Sequence, residues 1–220
     1  MVQNPIETDS LIIDWRTVGP FATNSYFVMC KETKEAALID ACDRASELQA
    51  MIKRHGGNLK YLLQTHAHLD HVAALPEMKE LWPDAPIVLH PEEKMLYDNV
   101  DQQCRMFGLP PFPSPPPVDQ WMKDGEEVTL GKHTFKAIFT PGHSPGSLTF
   151  WIDNDFLFAG DVLFAGSIGR TDLPGGSMKV LLDSIKRLMD DVGEAQVFPG
   201  HGPPTTLSQE QQHNPFLVAL

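Results

Sequence analysis

The sequence has few of the residues that mark secreted or membrane-bound proteins. Only 3 of its 220 residues are cysteines (Cys30, Cys42 and Cys104), and their positions show no C-x-x-C metal-binding spacing. Three cysteines cannot all pair, so free thiols are expected, as in the reducing cytoplasm. The opening residues MVQNPIETDS lack the basic and apolar parts of a secretion signal. No run approaches the ~20 apolar residues of a membrane span. We therefore expect a cytoplasmic protein that does not enter a membrane.

Positive charge is also scarce, since 17 Lys and Arg face 29 Asp and Glu and the formal net charge is −12. This field gives no electrostatic reason to bind nucleic acid or anionic lipid. It also means that an anionic substrate needs a local cationic patch. The 42% hydrophobic and 21% charged shares are those of a folded globular protein. The length predicts one domain over residues 1–220.

Strand-like runs occur in two groups, one on each side of a proline-rich segment. That segment, residues 109–118 (LPPFPSPPPV), contains six prolines and is expected to be a rigid surface loop or lid. Strands are predicted over 11–15, 25–30, 36–40, 61–65 and 87–90, and then over 134–140, 147–153, 155–159 and 197–198. Helices are predicted over 44–55, over 72–82 with a kink or break at Pro76, from Pro91, and over 177–191 with Ser177 as N-cap. This order favours two sheets covered by helices over one regular parallel sheet.

The most informative segment is THAHLDH, residues 65–71, which follows a predicted buried strand. His66 and His68 can share a face if the backbone stays extended, because side chains two residues apart point the same way. Asp70 and His71 lie past the strand end, where the chain turns into a helix. The spacing therefore divides into two pairs, which fits two adjacent metal ions better than one.

Further ligand-type residues follow other apolar strands beside glycines that permit tight turns. They are His143 in PGHSPG, Asp161 in AGD and His201 in PGHG. A catalytic metal needs at least three protein ligands and an open position. We assign one site to His66, His68 and His143, a second to Asp70, His71 and His201, and a bridging role to Asp161.

A structural metal site is the main alternative interpretation. Such zinc sites are usually closed tetrahedra rich in cysteine, and no cysteine belongs to this set. Imidazoles and carboxylates suit Zn²⁺, with Fe²⁺ or Mn²⁺ as alternatives. The remaining histidines are interpreted as ordinary surface or core residues: His55, His90, His133 and His213.

The series THAHLDH, PGHSPGS, AGD and PGHG resembles the metallo-β-lactamase superfamily over nearly the whole chain. This resemblance implies an α/β (α+β) fold, the four-layer αβ/βα sandwich, with the metal site at one edge of its two sheets. Within the superfamily, the segment GSIGRTDLPGG at 166–176 resembles the short bacterial-type glyoxalase II branch, the hydroxyacylglutathione hydrolases. Zinc β-lactamases typically carry Cys or Ser where this chain has Asp161, so β-lactamase activity is not expected.

The resemblance implies hydrolysis of a thioester such as S-lactoylglutathione, a small-molecule substrate. A hydroxide that bridges two metals would attack the carbonyl carbon. Asp70 would be both a ligand and the catalytic residue that orients this hydroxide. Arg170 and Lys179 are candidates to bind the glutathione carboxylates, with a solvated surface charge as the alternative for each. Tyr97 and Phe112 could line the pocket, although core packing is favoured for both.

Two other functions remain open at the level of sequence. Persulfide dioxygenases of the same superfamily resemble this chain even in the Gly-Arg-Thr-Asp stretch at 169–172, and they bind a single iron. A metal-binding interaction protein without catalysis is the alternative of another class. The number of bound metal ions per chain and the substrate that is turned over, if any, distinguish these two functions from thioester hydrolysis.

Overall fold

The computed structural model describes residues 4–218 and forms two sheets packed face to face. Within these residues the first sheet has seven strands in chain order: β1 (Ile6–Glu7), β2 (Leu11–Val18), β3 (Thr23–Cys30), β4 (Glu35–Ile39), β5 (Asn58–Leu63), β6 (Ile87–Leu89) and β7 (Gln120–Trp121). Its first four strands are antiparallel, and β4 to β7 pair in parallel. The carboxyl ends of β4, β5 and β6 therefore share one edge.

The second sheet has six strands, in the order β15–β14–β11–β10–β9–β8. Their bounds are β8 (Glu127–Leu130), β9 (His133–Phe139), β10 (Leu148–Ile152), β11 (Phe156–Gly160), β14 (Gln196–Pro199) and β15 (Thr205–Thr206). A separate hairpin consists of β12 (Leu163–Phe164) and β13 (Ser167–Ile168). The two sheets meet where Thr23 bridges His201 and the Asn24 N–H donates to the Gly200 carbonyl.

Helices cover the outer face of each sheet. The helices are α1 (Ala45–His55), α2 (Leu69–Val72), α3 (Leu75–Leu81), α4 (Lys94–Asp98), α5 (Val100–Met106), α6 (Met178–Val192) and α7 (Leu207–His213), with a 3₁₀ turn at Pro91–Glu93. One core lies between the first sheet and α1 to α5, a second between the sheets, and a third between the second sheet and α6 and α7. The αβ/βα sandwich predicted from the sequence is confirmed.

Local signals account for the ends of several helices. Gly56 ends α1 in the left-handed region at φ 66°, where a glycine costs little. Ser177 accepts a hydrogen bond from Val180 N–H at the start of α6, as predicted. The predicted helix over 72–82 is broken at Ala73 and Ala74, and Pro76 lies in the first turn of α3, where its missing N–H costs nothing.

Residues 109–118 form no helix or strand, as the prolines predict. Leu109, Phe112 and Val118 pack on the first core, and the Tyr97 hydroxyl donates to the Pro116 carbonyl at 2.7 Å. Tyr97 itself is buried in that core, which agrees with the packing role favoured for it. No helix within residues 4–218 has the length and apolar character to cross a membrane. A single domain over residues 1–220 stays a prediction.

Candidate metal centre

The motif at 65–71 lies at the carboxyl edge of the first sheet. The chain leaves β5 at Leu63, bends at Thr65 and is extended at His68, which has φ −69° and ψ 147°. It then enters α2, which carries Asp70 and His71. The extended and helical parts of this loop separate the two predicted pairs, as the spacing indicates.

The other three predicted residues follow strands of the second sheet at the facing edge. His143 comes after β9, Asp161 directly after β11, and His201 after β14. Gly160 precedes Asp161 with φ +50°, and a Cβ there would lie 2.5 Å from Thr65 Oγ1. Only glycine allows these two loops to approach so closely.

All seven predicted side chains meet in one place, in two groups of three that Asp161 joins. Within each group, the candidate ligand atoms lie within 4.8 Å of one another. In the first group, His143 Nε2 is 2.8 Å from His68 Nδ1 and 3.2 Å from His66 Nε2. In the second, Asp70 Oδ2 is 3.3 Å from His201 Nε2 and 3.6 Å from His71 Nε2.

Asp161 lies between the groups and reaches both. Its Oδ2 is 3.5 Å from His143 Nε2 and 3.4 Å from His201 Nε2. Its Oδ1 is 3.3 Å from His71 Nε2. One carboxylate thus contacts both groups, which is the position a bridging ligand requires.

Hydrogen bonds on the far side of the imidazole rings set their tautomers. The Thr65 hydroxyl donates to Asp40 Oδ2 at 2.8 Å, so its oxygen accepts from His66 Nδ1–H at 3.0 Å. His71 Nδ1 lies 2.9 Å from the same Asp40 oxygen, and His143 Nδ1 lies 2.8 Å from the Arg170 carbonyl. These acceptors place a proton on Nδ1 of each ring, and in the neutral rings of His66 and His143 they leave the Nε2 lone pair facing the cluster.

The residues present therefore fit a bound cation. His66 Nε2 and His143 Nε2 lie 3.2 Å apart, and when neither carries a proton a positive ion between them relieves the repulsion of their lone pairs. His71 Nε2 and Asp161 Oδ1 lie 3.3 Å apart, and neither of these buried atoms forms a hydrogen bond of good geometry. Buried polar atoms in this state are costly unless an ion or a water completes them.

The first group is held in the form that binds metal. Burial lowers the pKa of His66 well below its ordinary value, that of His68 to about 3, and that of His143 as well, so these rings are neutral near pH 7.

Burial opposes ionisation of Asp70, but His71 and a hydrogen bond from His201 lower its pKa to about 2. Burial likewise opposes ionisation of Asp161, whose pKa His71 and His201 lower well below the usual range.

In the absence of metal, the rings of His71 and His201 are protonated. Burial disfavours charge on His71, yet the Asp70, Asp161 and Asp40 carboxylates raise its pKa well above the ordinary value. Burial also disfavours charge on His201, but hydrogen bonds to Asp161 and Asp70 raise its pKa to about 10. A metal ion entering the second group must displace these protons.

The cluster lies at the floor of an open cleft of about 330 Å³. Its walls are largely apolar. Phe21 and Phe107 line it in edge-to-face contact, with ring centroids 5.7 Å apart, and Phe164 and Ile168 of the β12–β13 hairpin line it as well. Arg170 lines the same cleft, and its guanidinium is paired with Asp172 through two hydrogen bonds of 2.7 Å. A volume near 300 Å³ admits a small-molecule substrate.

Not every predicted residue reaches this cleft. Lys179 lies on α6, pairs with Asp183 and is not among the residues that line the cleft, so its role in substrate binding stays a prediction without a contact. Phe112 packs on the first core and lines a neighbouring cleft. The histidines interpreted as ordinary residues take no part in the cluster and do not line the cleft: His55, His90, His133 and His213.

Sequence reasoning missed the residues that support the cluster from behind. Asp40 accepts from the Thr65 N–H at 2.7 Å as well as from Thr65 Oγ1 and His71. Buried Glu93 accepts from Ala67 N–H at 2.7 Å and from Gly146 N–H at 2.6 Å, and so joins the loops that carry three of the histidines. The sequence does contain a signal for Asp40, which is the carboxylate at the end of the apolar run AALID. Because β4 and β5 pair in parallel, their carboxyl ends lie at the same edge of the sheet.

The family comparison agrees with this geometry. A family model described as Metallo-beta-lactamase superfamily matches residues 18–201, which contain all seven clustered side chains. The chain belongs to the metallo-beta-lactamase superfamily. The resemblance drawn from the motifs is therefore confirmed.

Curated superfamily relatives cover most of the chain. The "Probable metallo-hydrolase YqgX" of Bacillus subtilis is 38% identical over 92% of this chain and 97% of its own length. The "Hydroxyacylglutathione hydrolase GloC" of Haemophilus influenzae is 38% identical over 84% of this chain and 89% of its own length. Membership of the superfamily, together with the clustered donors, makes this protein a metal-dependent hydrolase.

Solved structures of superfamily members superpose closely. The BLEG-1 B3 metallo-beta-lactamase has a TM-score of 0.86 at 37% identity, over 94% of this chain and 99% of its own. The TTHA1623 protein, solved in a di-iron-bound form, has a TM-score of 0.83 at 41% identity, over 92% of this chain and 99% of its own.

Proposed function

We propose that this protein hydrolyses the thioester of a glutathione conjugate such as S-lactoylglutathione. The observation that carries the proposal is the pair of donor groups joined by Asp161 at the floor of an open cleft that Arg170 also lines. The GloC relative, named as a hydroxyacylglutathione hydrolase, supports the choice of substrate class.

The donor set assigns seven residues to two divalent ions. His66, His68 and His143 would hold one ion, Asp70, His71 and His201 the other, and Asp161 both. When bound, such ions supply Lewis acidity that lowers the pKa of water towards about 7 and stabilises negative charge on a carbonyl oxygen. Zinc is the first choice for a set of imidazoles and carboxylates, with iron or manganese as alternatives.

The chain's own residues position the reactants. Asp70 lines the cleft, and its Oδ2 accepts a hydrogen bond from the Thr23 hydroxyl at 2.8 Å, which fixes the carboxylate. As the catalytic residue, Asp70 would orient the attacking water by accepting a hydrogen bond from it. The leaving thiolate has a low basicity, since a free thiol has a pKa of about 8.5, so no dedicated general acid is required.

Recognition of an anionic substrate is assigned to the rim. Arg170 is about half exposed and lies at the cleft, where it can meet a glutathione carboxylate. Its existing pair with Asp172 is solvent-exposed, and such pairs contribute little, so exchanging Asp172 for a substrate carboxylate costs little.

The test combines metal analysis with a thioester assay. The purified protein is expected to contain about two metal ions per chain and to hydrolyse S-lactoylglutathione. The Asp161→Ala variant is expected to lose turnover and to bind metal more than about 100-fold more weakly, because even outer-shell partners are worth about 10–100-fold. Wild-type turnover in this variant would refute the bridging assignment.

The same experiment separates the rival functions. One iron per chain together with oxygen uptake on glutathione persulfide would identify a dioxygenase and overturn the proposal. Hydrolysis of a chromogenic β-lactam without thioester turnover would assign the chain to the activity after which the BLEG-1 B3 metallo-beta-lactamase is named. Full metal occupancy without turnover of any thioester, phosphodiester, lactone or β-lactam would identify a metal-binding protein.

A further inference from the structure

A second cleft of about 300 Å³ lies beside the metal centre, with Asp70 in its lining, and Arg170 does not line it. Phe21, Leu69 and Asp70 line both clefts, so the two clefts are adjacent at these three residues. A substrate with its reacting carbonyl at the metal cluster can therefore extend in two directions. We call the second direction the apolar arm; the residues that line it and enter the argument are Asp43, Ala73, Glu77, Leu109 and Phe112.

The wall of this arm is mainly hydrophobic. Leu109 and Phe112 come from the proline-rich loop and are held by packing on the first core, while Phe21 stands at the junction with the metal cleft. Ala73, between α2 and α3, leaves room with its small side chain. A preformed apolar wall of this kind gains affinity from every methylene that it removes from water.

The charges in the arm are of one sign. Asp43 and Glu77 line it, neither carboxylate forms an ion pair within residues 4–218, and no lysine or arginine lines it. The first cleft differs, because Arg170 lines it. A carboxylate on the substrate is therefore disfavoured in the apolar arm and tolerated near Arg170.

We infer that the apolar arm binds the acyl chain of the substrate, while the glutathione part lies in the cleft with Arg170. The inference rests on the proposed thioester hydrolysis and narrows its substrate class. The substrates best suited to this cleft are thioesters whose acyl chain is longer and more apolar than lactoyl and carries no terminal carboxylate.

A series of acyl-glutathiones tests this inference with the metal-loaded protein. We expect kcat/KM to rise from lactoyl through butyryl and pentanoyl to hexanoyl, by up to about fourfold per buried methylene. Glutaryl, in which a carboxylate replaces the terminal methyl of pentanoyl, is expected to be at least about tenfold poorer than pentanoyl. Equal values across the series, or a preference for glutaryl, would overturn the inference.

Variants assign the effect to the arm. Phe112→Ala removes an apolar wall of the arm, and Ala73→Leu fills space inside it. Both variants are expected to reduce the ratio of kcat/KM for hexanoyl to that for lactoyl. Asp43→Asn and Glu77→Gln remove negative charge from the arm. Each is expected to lower the ratio of kcat/KM for pentanoyl to that for glutaryl. Glu80→Gln is the matched control, because Glu80 is exposed on the same helix as Glu77 but does not line the arm, and it should leave both ratios unchanged.

Binding of inert thioethers separates failure of the arm from failure of the proposed reaction. If no thioester is hydrolysed, the proposed function fails, but calorimetry can still compare S-hexylglutathione with S-methylglutathione. Tighter binding of the hexyl compound, reduced by Phe112→Ala, would support the arm as a binding site on its own. Equal binding of the two compounds would refute it whether or not thioesters are hydrolysed.

Discussion

At the scale of single residues, Asp40 connects the backbone of the histidine loop to the metal cluster. Its two oxygens accept from the Thr65 N–H, the Thr65 hydroxyl and His71 Nδ1, at 2.7, 2.8 and 2.9 Å. One buried carboxylate thereby fixes the rings of His66 and His71, which belong to different donor groups.

Replacing Asp40 by asparagine should therefore weaken metal binding without unfolding the chain. Asp40 has φ 58°, and asparagine tolerates this left-handed conformation. We expect Asp40→Asn to lower metal affinity by about 10–100-fold, because the amide cannot accept all three hydrogen bonds. Competition with a chromogenic chelator measures the change. Asp84→Asn, at an exposed aspartate outside the cluster, serves as the control, and equal affinities for the two variants would contradict the assignment.

The sequence identifies donors much better than the residues that support them. Histidines that follow apolar strands beside glycine stand out by type and position, and His143 and His201 are examples. Asp40 and Glu93 are ordinary carboxylates in the sequence. Only the place of Asp40 at the end of a strand-like run gives a signal, because the hydrogen bonds that make both carboxylates important reach residues 25 and 26 positions away, respectively.

At the scale of elements, the turns after the strands control how closely the two sheets approach. A Cβ at Gly200, just after β14, would lie 2.2 Å from Asp161 Oδ1 and 2.7 Å from His71 Cε1. The backbone of Gly200 is not in the left-handed region, so its requirement for glycine is steric rather than conformational.

Gly200→Ala should displace Asp161 and reduce the amount of bound metal. We expect the number of metal ions per chain, measured by mass spectrometry, to fall from about two to one or fewer, because Asp161 serves both groups. Gly202→Ala is the comparison, since Gly202 has φ +78° but nothing within 4 Å of its added Cβ. That variant tests backbone strain alone, and a similar metal loss in it would show that strain, not contact with Asp161, is responsible.

Long elements with a clear period were predictable, and short ones were not. The pattern of α6, with Leu181, Ile185 and Leu188 on one stripe, marks a helix that buries one face. The two-residue strands β7 and β15 are too short for any period to show, and α5 and α7 were also missed. These elements are defined by the partners they pair with or pack on, and a single sequence does not contain that information.

At the scale of the whole molecule, metal binding should be coupled to protons. Without metal, the raised pKa values of His71 and His201 keep both rings charged, and this stabilises the folded state below an unfolded pKa of about 6.5. The contribution of His201 is lost as the pH rises through about 10. Metal competes with these protons, so its affinity rises with pH over this range.

Metal loading near pH 7 is expected to release about two protons per chain from these rings, in addition to any from bound water. Titration in weakly buffered solution measures this release, and His201→Gln should lower it by about one at saturating metal. The rise in melting temperature on adding metal should grow between about pH 6 and pH 9. A gain that shrinks with rising pH would show that these histidines do not bind the metal.

The sandwich was predictable because strand-like runs lie in two groups around residues 109–118, and because the motifs resemble one superfamily. The pairing of strands was not. The parallel contact between β11 and β14, which brings His201 beside Asp161, joins strands separated by the hairpin and α6. Which strand pairs with β11 is determined only when the whole chain folds.

Every donor group contains residues from both sides of the proline-rich segment. His68 and His143 are 75 positions apart, and each donor group takes residues from loops of both sheets. A bound ion would thus be a covalent-like cross-link between the two halves, in a chain whose three cysteines are all free. Because such an ion binds the folded chain and not the unfolded one, it would stabilise the folded state by mass action, by about 4 kcal/mol when free metal is at about 1,000 times its Kd. Depletion of metal in the cell would therefore lower the abundance of this protein as well as its activity, because the unlinked chain becomes a better target for proteolysis.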